Sequence, residues 1–109
     1  MTSSTLYYIK SKKALKGIAL GYYLHGKSFR VLAGSAVRYP QTEEFETGNG
    51  TYSRLYEKLL NADIIRPNKS GRGAVLTQDY IFDSISASSS IINGRQCNGS
   101  EWKPLNVEE

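Results

Sequence analysis

The sequence predicts an α+β domain, with an antiparallel sheet of about four to five strands and two helices packed on one face. Several short stretches alternate with a period of two, which is typical of half-buried strands, and two other stretches have helical spacing. At 109 residues the chain is large enough for one hydrophobic core and too small for two. We therefore treat residues 1–109 as a single domain and expect its ends, 1–5 and 104–109, to be flexible.

The amino-terminal part is predicted to contain a short strand followed by a hairpin. Residues 6–10 form the first strand, and residues 16–24 alternate large and small side chains. We expect the large side chains, among them Ile18, Leu20 and Tyr22, to face the core. The small residues on the other face would let a backbone or a ligand approach closely. A turn at 25–28 then leads back into a strand at 29–33.

The middle of the chain contains the clearest helical pattern. Gly34-Ser35 is predicted to be a bulge or bend, or alternatively a place where backbone amides meet a ligand. Residues 40–50 are expected to form a mobile surface loop. Residues 51–63 are expected to form a helix with Thr51 as its cap. Its apolar stripe consists of Tyr52, Leu55, Tyr56, Leu59 and Leu60. Short extended pieces are predicted at 64–65, 74–76 and 80–82.

The segment from Ser84 to Lys103 is predicted to begin as a second helix and to end in an exposed polar cluster. Ser84 or Ser86 is the expected cap, and Gly94 is the expected stop. Interior serines at 86, 88, 89 and 90 together cost about 2 kcal/mol relative to alanine, so tertiary packing must hold this helix. The serines either let the helix lie close to a sheet or face an anion. The expected exposed cluster consists of Arg95, Asn98, Trp102 and Lys103.

The same segment resembles a known family. The pattern comprises Phe82-Asp83-Ser84-Ile85-Ser86-Ala87, Gly94-Arg95, Asn98-Gly99 and Trp102-Lys103. It is similar to the carboxy-terminal signature of domain-of-unknown-function family 4357, and the stretches 31–35, 55–65 and 76–80 also resemble that family, so the resemblance spans about residues 16–103. Two departures are visible, because Ile85 stands where the family usually has proline and the chain is one residue short, without a second tryptophan, between Gly99 and Trp102.

The resemblance implies an accessory role beside nucleic-acid enzymes. Members of that family are commonly appended to GIY-YIG-type nucleases and to restriction-system proteins. The tripeptides Tyr7-Tyr8-Ile9 and Gly21-Tyr22-Tyr23 only superficially resemble the nuclease motif, and neither matches it. If the resemblance holds, we expect the nuclease part to be absent from this chain.

Basic residues are concentrated in the amino-terminal part. The net charge is +4, yet residues 1–39 contain seven basic and no acidic residues, whereas the remainder contains seven basic and ten acidic ones. This asymmetry predicts a positive surface that meets phosphates, although lysines beside strands can also serve solubility and edge protection. The expected phosphate contacts are Lys12, Lys13, Lys16, Arg30 and Arg38. Polar contacts are expected from Arg95, Asn98 and Lys103 near Trp102.

Composition argues against several other classes of protein. His25 is the single histidine and has no neighbouring ligand or nucleophile, so we expect no enzyme activity, no metal and no cofactor. The lone Cys97 favours a reducing compartment, and no run of 18 apolar residues predicts a membrane span, so we expect a cytoplasmic protein.

The leading hypothesis is a non-catalytic module that binds nucleic acid, DNA in the first instance, in a restriction, mobile-element or defence system. One alternative is a domain that docks onto a nuclease or methyltransferase subunit through the surface around Trp102. Another is a sensor of a small molecule or modified nucleotide, which would need a concave pocket at Gly34-Ser35 and the serine-rich helix.

Overall fold

The computed structural model describes residues 5–10, 17–47 and 50–105. The ends expected to be flexible fall outside this range at residues 1–4 and 106–109. Three of the predicted phosphate contacts, Lys12, Lys13 and Lys16, also lie outside the described residues.

The strands form two antiparallel sheets, which confirms the α+β class. In chain order the elements are β1 (Tyr7–Lys10), β2 (Ile18–Tyr23), β3 (Phe29–Val31), β4 (Ala36–Val37), α1 (Glu43–Thr47), α2 (Thr51–Asn61), β5 (Ile65–Pro67), β6 (Ala74–Leu76), β7 (Tyr80–Phe82), α3 (Ile85–Asn93), a 3-10 helix (Gly99–Glu101) and β8 (Lys103–Pro104). The larger sheet has five strands in the order β7-β3-β2-β1-β8, and the smaller has three in the order β4-β6-β5. The sequence analysis predicted only one sheet, because β4 and β5 are too short to show alternation.

Helix α2 has the predicted apolar stripe but different ends. Tyr56 and Leu59 are buried, and the other stripe residues are partly buried. Gly50, in an extended conformation, occupies the N-cap position, so the expectation that Thr51 is the cap was wrong. The helix stops at Asn61, and Asp63 then adopts a positive φ of 63°. The chain must reverse here to enter β5, so the helix is two residues shorter than the predicted range of 51–63.

The region expected to be a surface loop contains structure of its own. Helix α1 forms there, and the Phe45 side chain is only 6% exposed because it packs edge-on against the Tyr56 ring, with 6.0 Å between the ring centroids. The Ser53 hydroxyl donates to the Phe45 carbonyl oxygen over 2.6 Å and ties α1 to α2. The prediction of a mobile loop was therefore wrong for residues 43–47.

Strand β2 faces the core with its small side chains, opposite to the prediction. Ala19 and Gly21 are buried, whereas Ile18 is 46% exposed. A Cβ atom on Gly21 would lie 2.6 Å from both Phe29 Cε2 and the Arg30 carbonyl oxygen. The Phe29 ring therefore fills the space that a side chain at position 21 would need. The prediction of close approach on the small face was right, but the approaching group is a core aromatic ring.

Helix α3 begins and ends as predicted. The Ser84 hydroxyl accepts a hydrogen bond from the Ala87 amide over 3.1 Å, and Gly94 adopts the left-handed conformation with φ 60°. The helix contacts β3, β7 and β4, and it also packs against α2. It therefore covers the side of the five-stranded sheet that carries Phe29.

Candidate nucleic-acid interface

The serines of α3 face the protein interior and bind the chain that follows the helix. Ser88, Ser89 and Ser90 are fully buried. Ser90 Oγ accepts from the Cys97 amide at 3.1 Å and donates to the Cys97 carbonyl oxygen at 3.0 Å, and Ser89 Oγ lies 2.9 Å from Cys97 Sγ. Ser88 Oγ donates to the Ile85 carbonyl oxygen at 2.7 Å. These contacts support the close-packing interpretation of the serines, because their hydroxyls are used inside the fold.

Trp102 is part of the core, so the expectation that it lies on the surface was wrong. Its side chain is 4% exposed, its indole N–H donates to Ser88 Oγ over 2.9 Å, and its ring centroid lies 4.8 Å from that of Phe29. A buried indole with its one donor satisfied has no reason to reach solvent. Its ring is not available for stacking on a base or docking onto a protein.

Arg95 and Asn98 lie on the loop between α3 and Trp102, where both have contacts within the fold. Asn98 Oδ1 accepts from the Ser100 amide over 3.0 Å and so caps the 3-10 helix. Arg95 is exposed, and its guanidinium lies 3.8 Å from the Glu101 carboxylate. Both side chains therefore help to shape the loop that brings Trp102 back to the core.

Arg38 lies beside the carboxy-terminal end of α3. Its amide donates to the Ile92 carbonyl oxygen over 2.8 Å, and its carbonyl oxygen accepts from the Tyr56 hydroxyl over 2.6 Å. Burial raises the pKa of the Tyr56 phenol above its usual value, so the hydroxyl stays a donor. A Cβ atom on Gly94 would lie 3.4 Å from Arg38 Cβ. Arg38 is therefore grouped with the segment after Gly94, on the helical side of the molecule.

Arg30 and Lys103 lie on the opposite side of the five-stranded sheet. Alternation along the strands places Phe29 and Val31 in the core and Arg30 between them on the other face. Arg30 is paired with Tyr22 on β2 and Ile81 on β7, and Lys103 is paired with Tyr8 on β1. We call this side the outer face; its strand residues are Tyr8, Lys10, Ile18, Leu20, Tyr22, Arg30, Ile81 and Lys103. The predicted site residues are thus divided between the outer face and the end of α3.

The charges of the five strands lie on the outer face and have one sign. The five strands contain three charged residues, Lys10, Arg30 and Lys103, and all three are cations on the outer face. Asp79, just before β7, partly offsets them, because its carboxylate lies 3.7 Å from the Arg30 guanidinium. The outer face therefore combines positive charge with partly exposed tyrosines and aliphatic side chains.

Three residues of the outer face, Tyr8, Lys10 and Ile81, were not predicted from the sequence as site residues. Tyr8 and Lys10 share one face of β1, and Ile81 stands between two inward aromatic residues in β7. The signal was the alternation itself, which assigns them to the face opposite Ile9 and Phe82. This face was not recognised, because Leu20 and Tyr22 of β2 were assigned to the core instead of to the same face as Tyr8.

The pocket expected for a sensor of small molecules does not coincide with the concavities described. A hollow of about 160 Å³ is lined by Thr42, Phe45, Ser53 and Gln96 among others, away from Gly34 and Ser35. Ser35 Oγ instead accepts from the Leu20 amide at 3.0 Å and holds β2 to the bend at Gly34. This agrees with the prediction of a bend rather than a ligand site at Gly34-Ser35.

The described residues contain neither a candidate metal cluster nor a candidate membrane-spanning helix. In residues 5–10, 17–47 and 50–105 there is no group of three or more histidine, cysteine, aspartate or glutamate side chains that could hold a metal ion. In the same part of the chain no helix has the length and apolar character needed to cross a membrane.

Comparison with known proteins identifies the family. Neither the curated proteins nor the solved structures contain a significant match. One family model does match, and it covers residues 7–108, which is nearly the whole chain. The chain therefore belongs to the family described as Domain of unknown function (DUF4357).

Proposed function

We propose that this domain is a non-catalytic nucleic-acid-binding or targeting module, which acts in the cytoplasm beside the enzymes of a restriction, mobile-element or defence system. DNA is the expected partner. The family resemblance supports the accessory role, since similar domains are appended to GIY-YIG-type nucleases and restriction proteins. The proposal includes no catalytic step and no cofactor.

The observation that carries the proposal is the charge of the outer face. Lys10, Arg30 and Lys103 are the charged residues of the five-stranded sheet, and all three project to the side that α3 does not cover. Cations collected on one face attract a polyanion at long range and release its counterions on binding. Three further lysines, Lys12, Lys13 and Lys16, occur in the sequence between β1 and β2.

The two arginines at the end of α3 contribute less to the proposed interface. Arg38 and Arg95 both lie at the carboxy-terminal end of α3 rather than on the outer face. We therefore expect Arg30 and Lys103, of the predicted contacts, to matter more than Arg38 and Arg95.

The experiment is a titration of fluorescently labelled oligonucleotides at increasing salt. We expect binding at low ionic strength, with the logarithm of the association constant falling linearly against the logarithm of the salt concentration. The triple variant Lys10→Gln, Arg30→Gln, Lys103→Gln should reduce the steepness of that slope by about 2, because each lost phosphate contact removes about 0.7 to 0.9. Failure of the wild-type domain to bind any oligonucleotide at low salt would refute the proposal.

A matched control removes equal charge elsewhere. Arg54 and Lys58 are exposed on α2, and Lys69 is exposed in the turn between β5 and β6. The triple variant Arg54→Gln, Lys58→Gln, Lys69→Gln changes net charge by the same amount but leaves the outer face intact. It should bind with nearly the wild-type slope. An equal loss in both triple variants would mean that net charge alone, without a defined face, explains binding.

One observation favours a second candidate, a domain that docks onto a nuclease or methyltransferase. Ile18 and Ile81 are 46% and 48% exposed, both on the outer face, and exposed apolar side chains are common in protein interfaces. Such a complex would persist at high salt and would be lost in the variant Ile18→Ser, Ile81→Ser. The surface around Trp102, expected from the sequence to dock, is unsuited because the indole is buried.

A further inference from the structure

The two partly exposed tyrosines of the outer face lie on adjacent central strands. Tyr8 on β1 is opposite Leu20 on β2, and Tyr22 is two residues further along β2 on the same face. This diagonal relation separates residues by about 7–8 Å. Stacked bases are only about 3.4 Å apart along a strand. Two bases that each pack on one of these tyrosine rings would therefore have to be unstacked from each other.

Each tyrosine has a cation directly across on the neighbouring strand. Lys103 on β8 is opposite Tyr8, and Arg30 on β3 is opposite Tyr22. The order across the face is therefore cation, tyrosine, tyrosine, cation from β8 to β3. An aromatic centre with cations on both sides matches a chain whose bases alternate with phosphates.

The Arg30 guanidinium is held in place before any ligand arrives. Its Nη1 lies 3.7 Å from Asp79 Oδ2 and donates to the Tyr22 hydroxyl over 3.4 Å. Asp79 is itself anchored, because Oδ1 accepts from the Ala33 amide over 2.8 Å. Arg30 Nε is buried without a hydrogen-bond partner in the part of the chain that the structure describes. A fixed cation beside a tyrosine loses little side-chain freedom when it binds a phosphate.

The apolar part of the outer face distinguishes single strands from duplexes. Ile18 and Ile81 are about half exposed, and Leu20 and the two tyrosines are partly exposed on the same face. A duplex presents phosphates on its outside and keeps its base faces stacked, so it would gain little from this surface. Unpaired bases have free faces that pack on aromatic and aliphatic side chains.

We propose that the outer face is a platform for single-stranded nucleic acid, on which two successive bases stack on Tyr8 and Tyr22 while Lys103 and Arg30 contact the flanking phosphates. This inference rests on the proposed nucleic-acid binding and makes it specific. The occupant is a single strand, and the tyrosine rings rather than the charges provide the preference over a duplex.

The test compares a labelled single strand of about 12 nucleotides with a duplex of the same length. We expect the single strand to bind more tightly. Tyr8→Leu and Tyr22→Leu should each weaken single-strand binding by about 5-fold to 100-fold, as for loss of one base–aromatic contact. Tyr8→Phe and Tyr22→Phe keep the ring and should remain close to wild type. The Phe variant at position 22 also separates stacking from the hydrogen bond to Arg30.

Tyr52→Leu is the control for loss of a tyrosine elsewhere, since Tyr52 is a partly buried residue of α2. It should leave binding unchanged, and thermal unfolding of every variant should report a folded protein. If the Leu variants prove unfolded, competition of unlabelled single strand against labelled duplex on the wild-type domain decides the preference without them.

The outcomes separate this inference from the proposed function. Equal binding of duplex and single strand, unaffected by Tyr8→Leu and Tyr22→Leu but lost in the cation variants, would overturn the platform and leave nucleic-acid binding intact. No binding of either form would overturn both. If Tyr8→Leu and Tyr22→Leu abolish a protein complex but leave oligonucleotide binding unchanged, the outer face binds a protein instead of a nucleic acid.

Discussion

The two sides of the five-stranded sheet differ in which side chains are buried: polar side chains are buried on the inner side, and apolar side chains are partly exposed on the outer face. On the inner side, buried serines of α3 bind Cys97 and Trp102, and we call Ser88, Ser89, Ser90, Cys97 and Trp102 the serine clasp. On the outer face, tyrosines and isoleucines remain partly exposed beside cations. A side chain whose hydrogen bonds and packing are completed inside the fold stabilises it. One that is left exposed on a regular surface is available to a partner.

The segment that the sequence suggests for binding and the segment that it suggests for structure have exchanged roles. Tryptophan and asparagine near a glycine suggest a binding loop, yet here Trp102 packs on Phe29 and Asn98 caps the 3-10 helix that precedes it. The alternating residues of β1 and β2 suggest only a strand, yet they form the candidate interface. Breaking the clasp should therefore change stability, and changing the outer face should change binding.

Trp102→Ala is expected to have one of the largest effects on stability. The indole is buried against Phe29 and bonded to Ser88, so its removal should lower the free energy of unfolding by about 3–5 kcal/mol. Chemical denaturation measures the change. A loss below about 1 kcal/mol would mean that the indole is not a core residue in solution.

A somewhat smaller effect is expected from Gly21→Ala. The added methyl group would meet the Phe29 ring and the Arg30 carbonyl oxygen at 2.6 Å. Overpacking of this kind should lower the free energy of unfolding by about 1–3 kcal/mol. The control is Gly17→Ala, where a Cβ atom would make only an ordinary contact of 3.4 Å with Ala36 Cβ. Equal unfolding midpoints for the two variants would contradict the packing of Phe29 over β2.

Ser88→Ala tests the polar part of the clasp. It leaves the buried indole N–H of Trp102 without its acceptor, and this should lower the free energy of unfolding by about 1–3 kcal/mol. In a Trp102→Phe background the same substitution should have a clearly smaller effect, because no donor remains to be satisfied. A double-mutant cycle measures the difference. Additive effects of the two substitutions would argue against the hydrogen bond.

Ile81→Thr on the outer face should leave stability almost unchanged. The side chain is 48% exposed and threonine suits a strand, so the free energy of unfolding should change by less than about 0.5 kcal/mol. Its counterpart on the inner side of the same strand is Phe82, 1% exposed. Truncation of Phe82 to alanine should cost about 3–5 kcal/mol. Similar losses at both positions would mean that the outer face is covered.

The smallest effect concerns pH and an exposed pair away from both sides of the sheet. Hydrogen bonding to Arg66 lowers the pKa of Asp63 below its usual value. A lowered folded-state pKa stabilises the protein above the unfolded-state pKa, and this stabilisation is lost as the pH falls through the folded-state value. The difference in melting temperature between wild type and Asp63→Asn should be small near pH 6 and vanish toward about pH 2. A difference that grows on acidification would contradict the direction of the shift.

Much of the fold was predictable because its signals are local. Ser84 and Gly94 define α3 through a cap and a left-handed stop, and the stripe of α2 follows from its spacing. The faces of β2 were not predictable, since large and small residues alternate and only the position of the Phe29 ring decides which set is buried. The expectation that Trp102 lies on the surface was wrong for a similar reason, because its hydrogen-bond partner Ser88 is 14 residues away in the sequence.

The candidate site was predictable in charge but not in position. The excess of basic residues before residue 40 indicated an anionic partner, and Arg30 and Lys103 do lie on one face. Their position on the same face depends on β8 joining the edge of the sheet beside β1, which the two residues of β8 do not reveal. Arg38 and Arg95 were grouped with them by sequence, whereas the structure brings those two to the end of α3.

The most direct measurement is a nuclear magnetic resonance titration of the labelled domain with a single-stranded oligonucleotide. We predict that the amide and side-chain signals of Tyr8, Leu20, Tyr22, Arg30 and Lys103 shift together and saturate, while those of Ser88, Ser90 and Trp102 stay in place. Shifts concentrated instead around Arg38, Gly94 and Arg95, with the outer face unchanged, would contradict the account.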